Sequence, residues 1–240
     1  IGLSGRSLVV DAEPLRPSSF SPFGDVVENP QPQLHPSSAA STLAKPYNIP
    51  FNPIAANQGT AIKYQHVTPL VDLYAQARSR RPSIAVTNMF ICASRKLLTS
   101  RKDDRVYPVT VLERHPFTTQ TFIPLSGTTY RYLVIVAPTL PPSSKDKHLP
   151  VPTIPTTNPH ARNHKLPGRG LPDSTRLKAF IATTDQAVTY GAGTWHAPMA
   201  VLGEEGTKVD FVVVQFANGV GVEDCQEVFL EGEGEVLVRV

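Results

Sequence analysis

Proline and glycine breaks constrain this chain more than any other feature. Its 240 residues carry 24 prolines and 15 glycines, with proline at about twice its usual ~5% share. Each proline removes a backbone donor and clashes with the preceding helical turn, so few windows are left for a long helix. Between the breaks lie short runs rich in β-branched and aromatic residues. They read as strands at 60–67, 83–93, 107–114, 119–124, 129–136, 176–183, 194–202 and 208–216. The last shows the period best: in KVDFVVVQF, Val209, Phe211, Val213 and Gln215 share one face, and Asp210, Val212, Val214 and Phe216 the other. Serial short strands with Gly/Pro punctuation predict a mainly all-β chain, a β-barrel or jelly roll with one or two short helices.

The opening LVVDAEPLRPSSFSPFGDVVE reads as strand, short helix, strand. Ser18 or Ser19 caps the helix, Phe20 and Phe23 face inward, and Gly24 ends it. Residues 29–57 have no period and form a long surface connection. Residues 70–80 are the other candidate helix. Nine of the 24 prolines fall between Pro138 and Pro172, and from Lys145 to Arg169 every charge except Asp146 is basic. This stretch reads as a surface insertion between two strands, removable with little loss of activity. His148, His160 and His164 lie within it, too loosely spaced to define a metal site. Strands of the same character resume beyond it, so residues 1–240 are expected to form a single domain.

A net charge of +3, scattered and without aromatic interleaving, argues against a nucleic-acid partner. No apolar run reaches the ~18 residues of a membrane span. Cys92 and Cys225 sit in apolar, strand-like contexts and read as free thiols, which favours a reducing compartment such as the cytoplasm.

Two segments carry chemistry: VLERHPFTTQTFIPLSG (111–127) and AVTYGAGTWHAPM (187–199). Side chains on a strand alternate faces, so Glu113 and His115 point one way and Arg114 the other. Pro116 ends the strand, Gln120 lies on the next, and Gly127 turns the chain. A carboxylate on an inward face needs a partner or a role. Two histidines, a carboxylate and a carboxamide suit either a divalent ion or an organic substrate held by hydrogen bonds. Lys63 and Asn57, near an Asn-Gln-Gly turn, and Tyr190 are further candidates, and Trp195 reads as barrel packing.

Glu113, His115, Gln120 and Gly127 match the spacing of the first cupin motif, H-x-H-x4-E-x6-G, with two ligand positions changed in type. Gly193 and His196 fit the end of the second motif. The combination ERHP-x4-QTFIPLSG with TYGAGTWHAPM, together with FSPFGDVVE and NQGTAIKY, resembles the ureidoglycolate lyase (ureidoglycolate hydrolase) family from about residue 8 to 216. The Pro-rich insertion suits its longer fungal members. That resemblance implies a carbon–nitrogen lyase of allantoin and purine catabolism, cleaving (S)-ureidoglycolate to glyoxylate and urea as a homodimer. It also implies the site: His196, Glu113 and His115 as acid–base groups, with Lys63, Gln120, Asn57, Tyr190 and Arg114 around the substrate. In this reading Lys63 holds the carboxylate, and His196 or Glu113 is the base. No cofactor is required; a divalent metal, if present, falls to Glu113, His115, Gln120 and His196. The competing expectations are another cupin enzyme (a metal-dependent dioxygenase or an isomerase), a non-catalytic small-ligand module, and amidohydrolysis releasing ammonia.

Overall fold

The computed structural model describes residues 7–44, 49–100, 104–154, 165–231 and 234–240. In chain order its strands are β1 (Leu8–Asp11), β2 (Glu13–Pro14), β3 (Gly24–Val27), β4 (Ile54–Ala56), β5 (Ala61–Lys63), β6 (Ile84–Ala93), β7 (Leu98–Thr99), β8 (Arg105–Val109), β9 (Val111–Arg114), β10 (Gln120–Gly127), β11 (Arg131–Ala137), β12 (Lys178–Thr183), β13 (Ala187–Tyr190), β14 (Trp195–His196), β15 (Ala200–Leu202), β16 (Lys208–Ala217), β17 (Gln226–Phe229) and β18 (Val236–Arg239). The α-helices are short: α1 (Pro17–Phe20), α2 (Ala40–Leu43) and α3 (Gly221–Asp224). The chain is mainly β and cupin-like in build, as expected, with three short α-helices among the described residues.

Two sheets form the barrel. A five-stranded sheet runs β3-β13-β10-β16-β6, and a seven-stranded sheet runs β17-β9-β14-β11-β12-β2, with β15 also on β11. Their facing residues interdigitate: Phe122, Val188, Tyr190, Phe211 and Val213 from the first meet Tyr132, Val134, Val136, Phe180 and Val201 from the second. Aromatic edges lock this layer, with Tyr132 and Phe211 centred 5.2 Å apart. The alternation of KVDFVVVQF is borne out, since Val209, Phe211 and Val213 are all fully buried. The other face of the seven-stranded sheet carries a second core, in which Leu133, Ile135 and Trp195 pack with Tyr107, Val109, Val236 and Val238. These last belong to a four-stranded sheet, β1-β18-β8-β7. Strand β11 is thus covered on both faces, which explains why YLVIVA is continuously apolar rather than alternating.

Several expectations need correction. The helix expected at 70–80 shrinks to a 3-10 turn, Tyr74–Gln76. Leu73 N–H donates to the Phe117 carbonyl and Tyr74 N–H to the Asp72 carboxylate, so the backbone is spent on the barrel wall and a local turn. Neither Ser18 nor Ser19 caps α1; it starts at Pro17 after Arg16, and Ser19 bonds back to the Arg16 carbonyl. Run 107–114 divides at Thr110 into β8 and β9, which serve different sheets. Run 194–202 divides around Pro198 into β14 and β15, both paired with β11. The connection at 29–57 holds a 3-10 turn, α2 and β4.

The insertion between β11 and β12 is not a loose surface loop where it is described. The Arg114 guanidinium donates to the carbonyls of Gly168 at 2.8 Å, Arg169 at 3.0 Å and Gly170 at 3.3 Å. Trp195 Nε1–H donates to Gly170 O, and Gln226 Nε2–H to Pro150 O. Within the insertion, buried Asp146 binds Arg169 at 2.6 Å. His148 is exposed; His160 and His164 lie outside the described residues.

Candidate active site

Strands β9, β14 and β17 build one wall. Glu113 stands opposite His196 on one side and opposite Glu227 on the other. His115 lies just past the end of β9, before Pro116, and its carbonyl accepts from Gly193 N–H at 2.8 Å. Gly193 has φ +79°, and a Cβ there would sit 3.1 Å from the Pro167 ring, so the turn ahead of His196 requires glycine.

The expected acid and two imidazoles converge. One ligand atom from each of Glu113, His115 and His196 lies within 4.8 Å of the others. Both rings are held from behind. His115 Nδ1 lies 2.6 Å from the Asp224 carbonyl and His196 Nδ1 lies 2.9 Å from the Thr194 carbonyl. A carbonyl only accepts, so each Nδ1 carries a proton, and a ring that is neutral presents a lone pair at Nε2. Neither Nε2 has a hydrogen-bond partner, although both are buried. Glu113 Oε1 lies 3.5 Å from His196 Nε2. Two lone pairs and a carboxylate facing one another repel unless a proton or a cation sits among them.

Local electrostatics separate the three groups. Burial raises the Glu113 pKa, but His196 and then His115 outweigh it and hold the carboxyl below its usual range. Burial, with the charge of His196, lowers His115 to about 4, so it stays neutral at physiological pH. At that pH its Nε2 is a hydrogen-bond acceptor. Cys225 Sγ lies 4.0 Å from Glu113 Oε2, and burial with the Glu113, Glu227 and Asp224 charges raises its pKa to about 12. It is a neutral thiol behind the carboxylate, and it and Cys92 are free.

The opposite wall carries Gln120 and Tyr190. Tyr190 stacks on His196 with ring centroids 3.9 Å apart and an interplanar angle of 10°. Its hydroxyl is buried and unpartnered, and burial, then Tyr132 and Glu113, keep it protonated. Gln120 Nε2–H donates to Gln215 Oε1 at 2.7 Å, which leaves Gln120 Oε1 buried without a partner. Gln215 was placed by alternation on the face of Val209, Phe211 and Val213 but not singled out; its hydrogen bond with Gln120 becomes visible only once β10 and β16 pair. Glu227 was missed because β17 carries no motif.

Three expected residues stand apart. Arg114 is fully buried on the other face of β9, against the Trp195 ring at 4.4 Å, and it anchors the insertion. Lys63 and Asn57 are exposed on the β4–β5 hairpin, where Asn57 takes the left-handed turn conformation at φ 49°. An apolar cavity of about 200 Å³ is lined by Phe23, Val71, Leu73, Leu166, Pro167 and Thr194, among others, and by none of the three clustered residues.

The cluster also fits a divalent ion. His115 Nε2, His196 Nε2 and a Glu113 oxygen form a two-histidine, one-carboxylate set, and the unpartnered Gln120 Oε1 is a candidate fourth ligand.

The fold is a cupin-like β-barrel, and it brings one carboxylate and two imidazoles together between its strands. A family model described as ureidoglycolate lyase matches residues 7–237. A ureidoglycolate lyase of Schizosaccharomyces pombe is 31% identical over 231 residues, covering 95% of each chain. One from Saccharomyces cerevisiae is 31% identical over 218 residues, covering 88% of this chain and 87% of its own. One from Burkholderia mallei is 28% identical over 206 residues, covering 84% and 79%. The chain belongs to the ureidoglycolate lyase family.

Proposed function

We propose that this chain cleaves ureidoglycolate to glyoxylate and urea by acid–base elimination. The observation that carries this reading is the convergence of Glu113, His115 and His196, with two unpartnered Nε2 atoms, in a chain of this family. The substrate carbon bears a hydroxyl, a carboxylate and a urea nitrogen. Its C–N bond breaks as the hydroxyl loses its proton and becomes the aldehyde carbonyl; the departing nitrogen gains a proton and leaves as urea. One proton is removed and one returned, so a pair that shuttles a proton suffices. Glu113 and His196 are that pair, and general acid–base help of this kind contributes about 10²–10⁴-fold. Neutral His115 accepts a hydrogen bond from the substrate hydroxyl and aligns it. Tyr190 O–H donates to the substrate's oxygen end, and Gln120 Oε1 accepts from the ureido N–H.

A divalent ion held by Glu113, His115 and His196, with Gln120, would polarise the hydroxyl and lower its pKa. The exposed Lys63 and Asn57 leave carboxylate binding to the Tyr190 hydroxyl, which is buried and unpartnered. We read the whole chain as one domain, since β1 and β18, from its two ends, pair in one sheet. We further propose a cytoplasmic homodimer in allantoin and purine catabolism. The free thiols Cys92 and Cys225 suit a reducing compartment. Among the described residues no helix is long and apolar enough to cross a membrane.

The deciding experiment measures urea and ammonia released from ureidoglycolate, with and without a chelator. Urea without ammonia supports elimination; ammonia in its place overturns it. Activity that survives complete metal removal discards the metal-assisted form, and loss restored by one divalent ion establishes it.

A further inference from the structure

Three neutral donors converge on the carboxylate of Asp224, the last residue of α3. Its Oδ1 accepts from the Tyr74 hydroxyl at 2.7 Å and from Asn218 N–H at 2.9 Å, and its Oδ2 from Gly219 N–H at 2.8 Å. The phenol has one proton, and the charged acceptor at 2.7 Å takes it in preference to the Phe216 carbonyl at 3.3 Å. The carbonyl of this same Asp224 meets His115 Nδ1 at 2.6 Å. The bonds to Asn218 and Gly219 close residues 218–224 into a ring. Asp224 N–H donates to the Val220 carbonyl at 2.8 Å, so its backbone is held on that side too. Tyr74 packs on Phe117, with ring centroids 5.6 Å apart, and Leu73 N–H donates to the Phe117 carbonyl at 2.7 Å. One segment therefore grips the chain two residues beyond His115 and, through Tyr74, the residue whose carbonyl faces the ring.

We propose that Asp224 is a positioning residue for His115: Tyr74, Asn218 and Gly219 clamp its carboxylate, and the clamp keeps its carbonyl on Nδ1. This rests on the lyase reading, in which His115 Nε2 accepts from the substrate hydroxyl. A bond from a ring N–H to a backbone carbonyl fixes both the tautomer and the ring's orientation. With the carbonyl displaced, the proton is free to move to Nε2. That atom then donates, and it can neither receive the hydroxyl nor ligate a metal.

Asp224→Asn tests the clamp at nearly constant shape, because an amide nitrogen replaces one of the two accepting oxygens. Glu223→Gln is the control. Glu223 is buried in the same helix and accepts from Ser79 N–H, the Ser79 hydroxyl and Asn218 Nδ2–H, but its carbonyl does not face His115. Long-range ¹H–¹⁵N spectra of chelator-treated protein separate the two tautomers, and the His115 signals are those lost in His115→Gln. Asp224→Asn is expected to weaken the Nδ1–H pattern of His115 and to cut kcat by about 10–100-fold, the scale of a slightly misplaced catalytic group, with KM little changed. Tyr74→Phe, which removes one donor of three and keeps the contact with Phe117, should move both readouts the same way by less; it carries the test should Asp224→Asn fail to fold. Glu223→Gln should lower the melting temperature and leave the His115 signals and kcat in place. Wild-type signals and kcat in folded Asp224→Asn overturn the proposal, or in Tyr74→Phe where Asp224→Asn does not fold. Equal shifts in Glu223→Gln overturn it as well, since they would reduce Asp224 to general support of the loop. A wild-type chain that releases no urea sinks the lyase reading instead, and the tautomer comparison still decides whether Asp224 holds His115.

Discussion

The Tyr190 ring lies parallel to that of His196, with centroids 3.9 Å apart and an angle of 10° between the planes. The stack fixes the imidazole from its face while the Thr194 carbonyl fixes it from Nδ1. The remaining freedom at Nε2 points at Glu113. The same tyrosine offers an unpartnered hydroxyl, so one side chain both holds the imidazole and supplies a donor.

Tyr190→Phe separates these two roles. The stack persists and the donor is lost. A hydrogen bond to a charged substrate group contributes about 1.5–3 kcal/mol, so kcat/KM is expected to fall by about 10–100-fold. The melting temperature should hold or rise, because a buried unpartnered hydroxyl disappears. Tyr190→Leu should cost more turnover, since His196 is then loose. Equal kinetics for the two variants would rule out a role for the hydroxyl.

Glu113 and His196 are proposed to act as one unit, so their losses should not add. Either His196→Ala or Glu113→Gln is expected to cut turnover at least ~10²-fold, and the double variant little further. Multiplying losses in a double-mutant cycle would show two independent groups.

The fold and this pair were legible for different reasons. Alternation placed Val209, Phe211, Val213 and Gln215 on one face without knowledge of any partner strand. The parity of Glu113 and His115 around Arg114 likewise set the acid and imidazole on one side. What was hidden depended on pairings distant in sequence. Gln215 gains meaning only opposite Gln120, Glu227 only opposite Glu113, and the fixed tautomer of His115 only through a carbonyl 109 positions away. Arg114 was placed beside the substrate by resemblance, yet its parity already sent it to the other face. Lys63 was assigned in the same way, and the β4–β5 hairpin holds it in solvent.

His115 makes stability depend on pH. Its folded pKa is about 4, against about 6.5 for free histidine. Between those values the unfolded chain binds a proton that the folded chain refuses, so stability is full above pH ~6.5 and falls as the pH drops toward 4. The whole span corresponds to about 3 kcal/mol. Glu113, held below its ordinary value, adds its own loss only below pH ~4.5. Urea denaturation of chelator-treated protein should therefore show a slope between pH 6.5 and 4.5 that His115→Gln removes. An unchanged slope in that variant would place the titrating group elsewhere.

Arg114 gives the last prediction. It was expected beside the substrate, and its buried guanidinium instead binds Gln226 at 2.8 Å and three carbonyls of the insertion. Burial lowers its pKa to about 10, so it remains charged. Arg114→Met keeps the bulk over Trp195 but strips donors from those carbonyls, and breaking a buried charged network costs about 3–5 kcal/mol. Arg114→Lys should recover only part of that, because an ammonium cannot reproduce the planar fork. Cutting out residues 142–170 should destabilise in the same way, since it strands Arg114, Trp195 Nε1 and Gln226 together, contrary to the dispensable loop expected from composition. Chemical denaturation of the three variants checks this. If the deletion costs less than 1 kcal/mol, the insertion is a passenger and its bonds to the wall are incidental.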